Sequence, residues 1–301
     1  MIKNKEILKK YNIKPYGFTK KDNIIIVDTK EEKYVLKKRN KNKKDLFNYL
    51  RTRNFEYFPD IYNEEYDDEY DIYKYYDNLD LPPYEKASNL INIISLLHAK
   101  TTHYRNVDID DYKKIYEDLD KKLDYLTNFY NDYFELIDNE VYMSPSNYLL
   151  ARNMTKVISL LSYCKNELDE WYNLVKDKEK ERVSIIHNNL ELSHLIRSDN
   201  TYLISWDNYE ENIPIYDIYK LYKNNYNEID MGEILTEYES RYPLTLDERK
   251  LLFLLISIPE KIELDKDEYE NTKKVNELLF YIYKTDKTIS KYYSNEEYKK
   301  D

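Results

Sequence analysis

The chain has 301 residues, of which 42% are hydrophobic and 35% charged, so its composition is that of a globular protein. Its formal net charge of −11 argues against a nucleic-acid partner, which would need clustered cations. A single cysteine, Cys164, excludes a disulfide framework and a cysteine metal site. No apolar run is long enough for a bilayer and no signal-peptide pattern is present, so we expect a cytoplasmic protein without membrane contacts.

Two features of the composition are unusual, namely 36 tyrosines and only 2 glycines. Codon bias in an AT-rich coding sequence is the favoured interpretation of the tyrosines, with their rings filling half-buried positions. The alternative is a surface suited to protein contacts, because tyrosine supplies a large amphipathic contact area.

The first 80 residues have the pattern of strands with one helix. Residues 23–28 and 34–37 are rich in β-branched side chains on either side of a polar turn, which predicts a hairpin. Residues 43–53 carry apolar side chains at helical spacing, and residues 58–62 and 70–76 predict two further strands around an acidic turn.

After Pro82 and Pro83 the strand pattern gives way to helices. The periodicity predicts helices over residues 84–103, 111–140, 144–176 and from 229 onward, with residues 283–301 expected to fray. Two short strands, residues 183–186 and 201–204, are predicted within this part. We therefore expect an α+β protein with a β-rich lobe over residues 1–80, a helical lobe over residues 81–301 and a hinge near residues 77–83.

Two segments of the second lobe carry a recognisable pattern. Residues 187–194 read HNNLELSH, and residues 201–207 read TYLISWD. With the order of predicted elements, they resemble the catalytic loop and metal-binding strand of the aminoglycoside phosphotransferase and choline kinase branch of the protein-kinase-like fold. Within that branch the chain is most similar to spore-coat kinase-like proteins of the CotS type. The resemblance implies a two-lobed fold and a site for ATP and Mg²⁺.

The loop departs from the family pattern, His-Gly-Asp-Leu-His-Pro-x-Asn, at its chemical positions. His187 and Leu190 match, and the favoured role of the His187 ring is to brace the loop by hydrogen bonding to the backbone. Asn189 stands at the position of the catalytic aspartate, and an amide cannot act as a general base. His194 stands at the position of the metal-binding asparagine. It is a weak candidate metal ligand, because imidazole suits Zn, Cu, Ni or Fe better than Mg²⁺.

The metal-binding strand has lost its aspartate in the same way. Ser205 takes that position, while Asp207 lies two residues further on and would share a strand face with Ser205 if the backbone stayed extended. Asp207 is therefore a weak candidate metal ligand. Asp217 matches the family aspartate that anchors the catalytic loop by accepting hydrogen bonds from its backbone. The alternative for Asp217 is an acid favoured by the dipole of a helix N-terminus.

The first lobe carries one matching residue and two departures. Lys37 matches the lysine that contacts the nucleotide phosphates, although no glutamate follows before Asn54 and Asp45 is a poor substitute. Residues 28–33, interpreted as the phosphate-covering turn, contain three acids and no glycine, which opposes binding of a triphosphate. The basic run over residues 37–44 is interpreted as a solvated strand end and loop.

The coordinated loss of these parts favours a pseudokinase that binds protein partners or has a structural role, in a spore coat or another assembly, with no cofactor. The alternative is a phosphotransferase acting on a small alcohol or amino-sugar. It would require ATP and Mg²⁺, with Asp207 as metal ligand and Glu191 or a water as base. A third class, nucleotidyl transfer on a kinase frame, needs the same metal-binding carboxylates.

Overall fold

A computed structural model describes residues 8–63, 69–265 and 267–297 of the chain. Most of the acidic turn expected before residue 70, and residues 298–301 of the segment expected to fray, lie outside the described residues. The architecture is the expected α+β arrangement, with a small antiparallel sheet followed by a larger helical part.

Four antiparallel strands form the N-terminal sheet, in the order β1-β2-β3-β4. They are β1 (Gly17–Lys21), β2 (Ile24–Asp28), β3 (Lys33–Lys38) and β4 (Tyr70–Lys74). The predicted hairpin is confirmed as β2 and β3, with Ile26 opposite Val35.

Two predictions for this region are wrong. Strand β1 was not expected, because only Phe18 among its five residues is strongly apolar. Residues 58–62 do not form a strand and contribute only a bridge between Ile61 and Tyr73. Pro59 explains this in part, because proline has no N–H group to donate to a sheet ladder.

The helix between β3 and β4 belongs to the larger hydrophobic core. Helix α1 (Lys44–Thr52) buries Leu46, Phe47 and Leu50 in the same core as the helices of the second lobe. The sheet has a separate, small core made of Leu8, Ile13, Val27, Leu36 and Ile72.

The second lobe is built mainly from long helices, and the predicted ones are present. Residues 75–82 connect the sheet to this part. Its helices are α2 (Pro83–Thr101), α3 (Ile109–Asp138), α4 (Pro145–Val175), α5 (Ile215–Asn225), α6 (Met231–Arg241), α7 (Leu246–Ser257) and α8 (Glu268–Glu297). The start of α4 is set by Ser144, whose hydroxyl accepts from the backbone N–H of Asn147. No helix in the described part of the chain is long and apolar enough to cross a membrane.

Short strands in this lobe support the segment that resembles a catalytic loop. Strand β6 (Lys180–Ile186) pairs with β5 (His103–Asn106) and β9 (Glu210–Asn212), and β7 (Leu195–Arg197) pairs with β8 (Thr201–Leu203). The loop over residues 187–194 runs from β6 to β7.

Candidate functional site

Lys37 and Asp207 meet in a cleft between the two lobes. Lys37 lies on β3, Asp207 follows β8, and the Lys37 Nζ atom is 2.5 Å from Oδ2 of Asp207. The cleft beside this ion pair is mostly apolar and includes Val35, Tyr73 and Trp206 in its wall. Two residues far apart in sequence are therefore brought together where the resemblance places a nucleotide.

A second lysine completes the charge arrangement. Lys43 immediately precedes α1 and is only 2% exposed. Its Nζ atom is 2.9 Å from Oδ1 of Asp207 and 3.0 Å from Oδ2 of Asp71, on β4. Arg39 contacts the other oxygen of Asp71 at 2.5 Å. Both oxygens of Asp207 are thus ion-paired with ammonium groups.

The two lysines determine the protonation of Asp207. Burial alone would raise the pKa of this carboxyl, but the hydrogen bonds and positive charges of Lys37 and Lys43 hold it below its ordinary value. Asp207 is therefore an anion at neutral pH, neutralised by lysines from the other lobe.

The backbone between Ser205 and Asp207 is not extended, so the expected strand geometry is wrong at this point. Ser205 has a φ of 69°, in the left-handed region, and residues 206–208 form a single 3₁₀ turn. Asp207 reaches Lys37 through this turn rather than through strand alternation. Trp206 is buried beneath it, where its indole N–H donates to the carbonyl of Leu203 at 2.6 Å.

The loop is held by Asp217, which is fully buried at the start of α5. Its carboxylate accepts hydrogen bonds from the backbone N–H of His187 at 2.8 Å and of Asn188 at 2.6 Å. The same carboxylate lies 3.1 Å from Nε2 of His98, whose Nδ1 atom contacts the hydroxyl of Tyr238 at 2.7 Å. This is the backbone contact that the resemblance implies for Asp217.

The two histidines of the loop bond to backbone carbonyls. Nε2 of His187 is 2.8 Å from the carbonyl oxygen of Ile204, and Nδ1 of His194 is 2.6 Å from that of Asn189. Burial lowers the pKa of both imidazoles, so both are neutral at pH 7. His187 links the loop to the strand before Asp207.

The acidic turn of the first lobe does not enter the cleft. Because β1 precedes β2, the turn between the first two strands is Asp22-Asn23, and the turn over residues 28–33 joins β2 to β3. Glu32 in that second turn pairs with Lys74 at 2.9 Å, and Glu31 is exposed. The interpretation of residues 28–33 as the phosphate-covering turn is therefore wrong, because another turn precedes it in the sheet. Lys74, the partner of Glu32, lines the cleft.

Glu191, the alternative base, lines a different cavity from Asp207. It borders a polar pocket with Lys86, Asn224 and Glu228, and its carboxylate accepts from the hydroxyl of Ser193 at 3.0 Å. The structure thus brings Lys37, Asp207 and the loop together but leaves Glu191 on another side of the loop.

Sequence reasoning missed Lys43 and Asp71. Lys43 belongs to the basic run interpreted as solvated, yet it is buried by its two carboxylate partners. The signal in the sequence was Asp71, a carboxylate in a strand of tyrosines and an isoleucine. A carboxylate buried in such a strand needs a cation or several hydrogen-bond donors as partners.

The resemblance implies a Mg²⁺ ion, and the residues present do not fit one. Mg²⁺ needs near-octahedral oxygen ligands at about 2.1 Å. The carboxylate best placed for it, Asp207, has both oxygens bound by lysines. Among residues 8–63, 69–265 and 267–297, no group of three histidine, cysteine, aspartate or glutamate side chains could hold a metal ion.

Comparison with solved structures identifies the fold. An aminoglycoside phosphotransferase from Alicyclobacillus acidocaldarius subsp. acidocaldarius DSM 446 superposes with a TM-score of 0.71 at 10% identity, covering 97% of this chain and 95% of that one. The AMP-bound spectinomycin phosphotransferase APH(9)-Ia aligns with a TM-score of 0.52 at 11% identity, over 96% and 92% of the two chains. The chain therefore has the protein-kinase-like fold of the aminoglycoside phosphotransferases.

One further solved structure aligns with the whole chain, and the sequence comparisons give no match. Choline kinase LicA from Streptococcus pneumoniae aligns over 98% of this chain and 100% of that one at 13% identity, with a TM-score of 0.49 that is too low to support an argument. No protein-family model matches the sequence, and no curated protein shows significant sequence similarity to it. At these identities the likeness is one of fold, and function has to be argued from the site.

Proposed function

We propose that this protein is a pseudokinase, which keeps the kinase-like fold, does not transfer phosphate and acts by binding. The observation that carries this proposal is the pairing of both Asp207 oxygens with Lys37 and Lys43. Asn189 at the base position and Ser205 at the metal position support it. Phosphoryl transfer depends on charge neutralisation by metal ions and on a positioned base. The candidate metal ligand Asp207 is paired with lysines, and the candidate base Glu191 borders another pocket.

Surface composition supports a role in an assembly such as a spore coat. Several tyrosines are largely exposed, among them Tyr16, Tyr104, Tyr142 and Tyr269 at 67% to 92%. Tyrosine is enriched at protein interfaces because its ring gives contact area at small entropic cost.

The direct test is an assay for ADP release from Mg·ATP with small alcohols and amino-sugars as acceptors. We expect no release above that of Asp207→Ala, and a smaller rise in melting temperature with Mg·ATP than with ATP in EDTA. Binding at 100 times Kd would stabilise the protein by about 2.7 kcal/mol, which a melting experiment detects readily. ADP release that disappears in Asp207→Ala would refute the proposal.

The second candidate is a phosphotransferase with an atypical site. It is favoured by one observation, the position of Asp207 and Lys37 in the same cleft beside a loop anchored by Asp217. For this enzyme, Mg²⁺ would have to displace Lys43 from Asp207. The same assay decides between the two functions, because only the second predicts turnover that depends on Asp207.

A further inference from the structure

Lys43 stands between two carboxylates in the way a bound cation would. Its ammonium group lies 2.9 Å from Asp207 and 3.0 Å from Asp71, and these acids come from different lobes. The side chain is 2% exposed, so the charge is fixed by the fold.

The consequence for a divalent cation is electrostatic as well as geometric. A metal ion at Asp207 would have to replace the ammonium groups of Lys37 and Lys43 and would then lie beside both of them. Like charges a few ångströms apart repel strongly in a partly buried site. The chain therefore supplies its own cations where a kinase-like site uses a metal ion.

The cleft next to these lysines suits the body of a particular class of ligand. Its apolar wall is formed by Ile24, Val35, Tyr73, Ile196, Ile204 and Trp206. Apolar and aromatic walls with a few charged groups at one end are typical of sites for flat organic ligands. Lys37 lines the same cleft and is 24% exposed, so its ammonium group is accessible from the cleft.

We propose that the interlobe cleft binds a nucleoside phosphate without a divalent metal ion, with Lys37 contacting the phosphate and Lys43 replacing the metal. This inference rests on the proposed function, because a ligand held without Mg²⁺ is bound and not turned over. A lysine and a phosphate make a charge-assisted contact that needs no bridging metal.

The test is equilibrium binding of ADP to the full chain, measured by calorimetry in EDTA and again in excess Mg²⁺. We expect saturable binding in EDTA and an affinity at least about tenfold lower in Mg²⁺, because the metal captures the phosphates and has no ligand in the cleft. Binding that requires Mg²⁺ would overturn the proposal. No binding in either buffer would overturn it as well, while leaving the proposed lack of phosphoryl transfer intact.

Two variants, Lys37→Met and Lys43→Met, and one control test the roles proposed for the two lysines. Lys37→Met is expected to weaken ADP binding in EDTA at least about tenfold. Lys38→Met is the matched control, because Lys38 is the next residue of β3 and is exposed. Its affinity should equal that of the unaltered protein, and an equal loss in both variants would show a general charge effect and refute the role of Lys37.

Lys43→Met tests the replacement of the metal ion. It removes the cation between Asp71 and Asp207, so the folded variant should bind ADP more tightly with Mg²⁺ than in EDTA. A folded Lys43→Met that binds ADP no more tightly with Mg²⁺ than in EDTA would show that Lys43 does not take the place of a metal. If this variant does not fold, Lys37→Met and the two buffers still decide the proposal.

Discussion

Among single residues, Asp217 holds the loop of the candidate site through its buried carboxylate. Three groups point at its buried carboxylate, the backbone N–H groups of His187 and Asn188 and the ring of His98. We expect Asp217→Ala to lower the free energy of unfolding by about 3 kcal/mol, because buried donors to a charged acceptor are left unpaired. Urea unfolding followed by circular dichroism measures this loss.

A suitable control for Asp217 is Asp177→Ala, since Asp177 is exposed beyond the end of α4. Surface substitutions of this kind change stability by about 0.5 kcal/mol or less. Similar losses in both variants would contradict the anchoring role of Asp217.

His187 gives the loop a pH dependence of known sign. Burial lowers its pKa below the ordinary 6.5, so below about pH 6.5 the unfolded chain binds more protons than the folded one. Stability should therefore fall between pH 7 and pH 5, and His194 contributes in the same direction. We expect His187→Gln to flatten this slope in urea unfolding at pH 5, 6 and 7. An unchanged slope would show that protonation of His187 is not linked to unfolding.

Residues in the site differ in how far the sequence could predict them. Lys37, Asp207 and Asp217 were found because they lie within or near short motifs with fixed spacing. Lys43 and Asp71 were missed because their importance comes from a pairing between residues 28 positions apart, which no local pattern records. Burial of the lysine follows from that pairing and not from its neighbours in sequence.

At the scale of elements, periodicity was a sound guide to helices and less so to strands. Helices α2, α3 and α4 were predicted because each repeats its apolar face over many turns, which averages out single exceptions. A strand of five residues offers too few alternations. β1 was missed because only Phe18 among its five residues is strongly apolar, and with β1 the correct position of the turn between the first two strands was missed.

The turn after β8 depends on the backbone conformation of Ser205, which substitutions at this residue can test. Ser205 adopts a φ of 69°, which costs an L-residue about 1–2 kcal/mol and costs glycine little. We expect Ser205→Val to lower the free energy of unfolding by about 1–2 kcal/mol, because a β-branched side chain fits this region worst. Ser205→Gly is the matched variant and should change it by less than about 0.5 kcal/mol. Equal losses in both would mean that the turn is not left-handed in solution.

For the whole molecule, the boundary between the two cores differs from the boundary between the two lobes. Helix α1 and the segment after it come from the first lobe by sequence. Phe47 of the helix and Phe55 beyond its end nevertheless pack edge-on against Trp206 of the second lobe, with ring centroids 6.1 and 6.3 Å from that of Trp206. The sheet is left with a small core of its own. Segments with few buried apolar contacts open at lower free energy than the rest of a protein.

We therefore predict that the sheet opens while α1 stays closed with the helical lobe. In native-state hydrogen exchange, amides of β1, β2 and β3 should exchange faster than those of α1 and α2. Leu36→Ala, in the small core, should lower protection of the sheet alone, while Leu97→Ala, in the large core, should lower it throughout, each by about 2–5 kcal/mol. Equal protection of the sheet and α1, or loss of α1 protection in Leu36→Ala, would show that the first lobe opens as one unit.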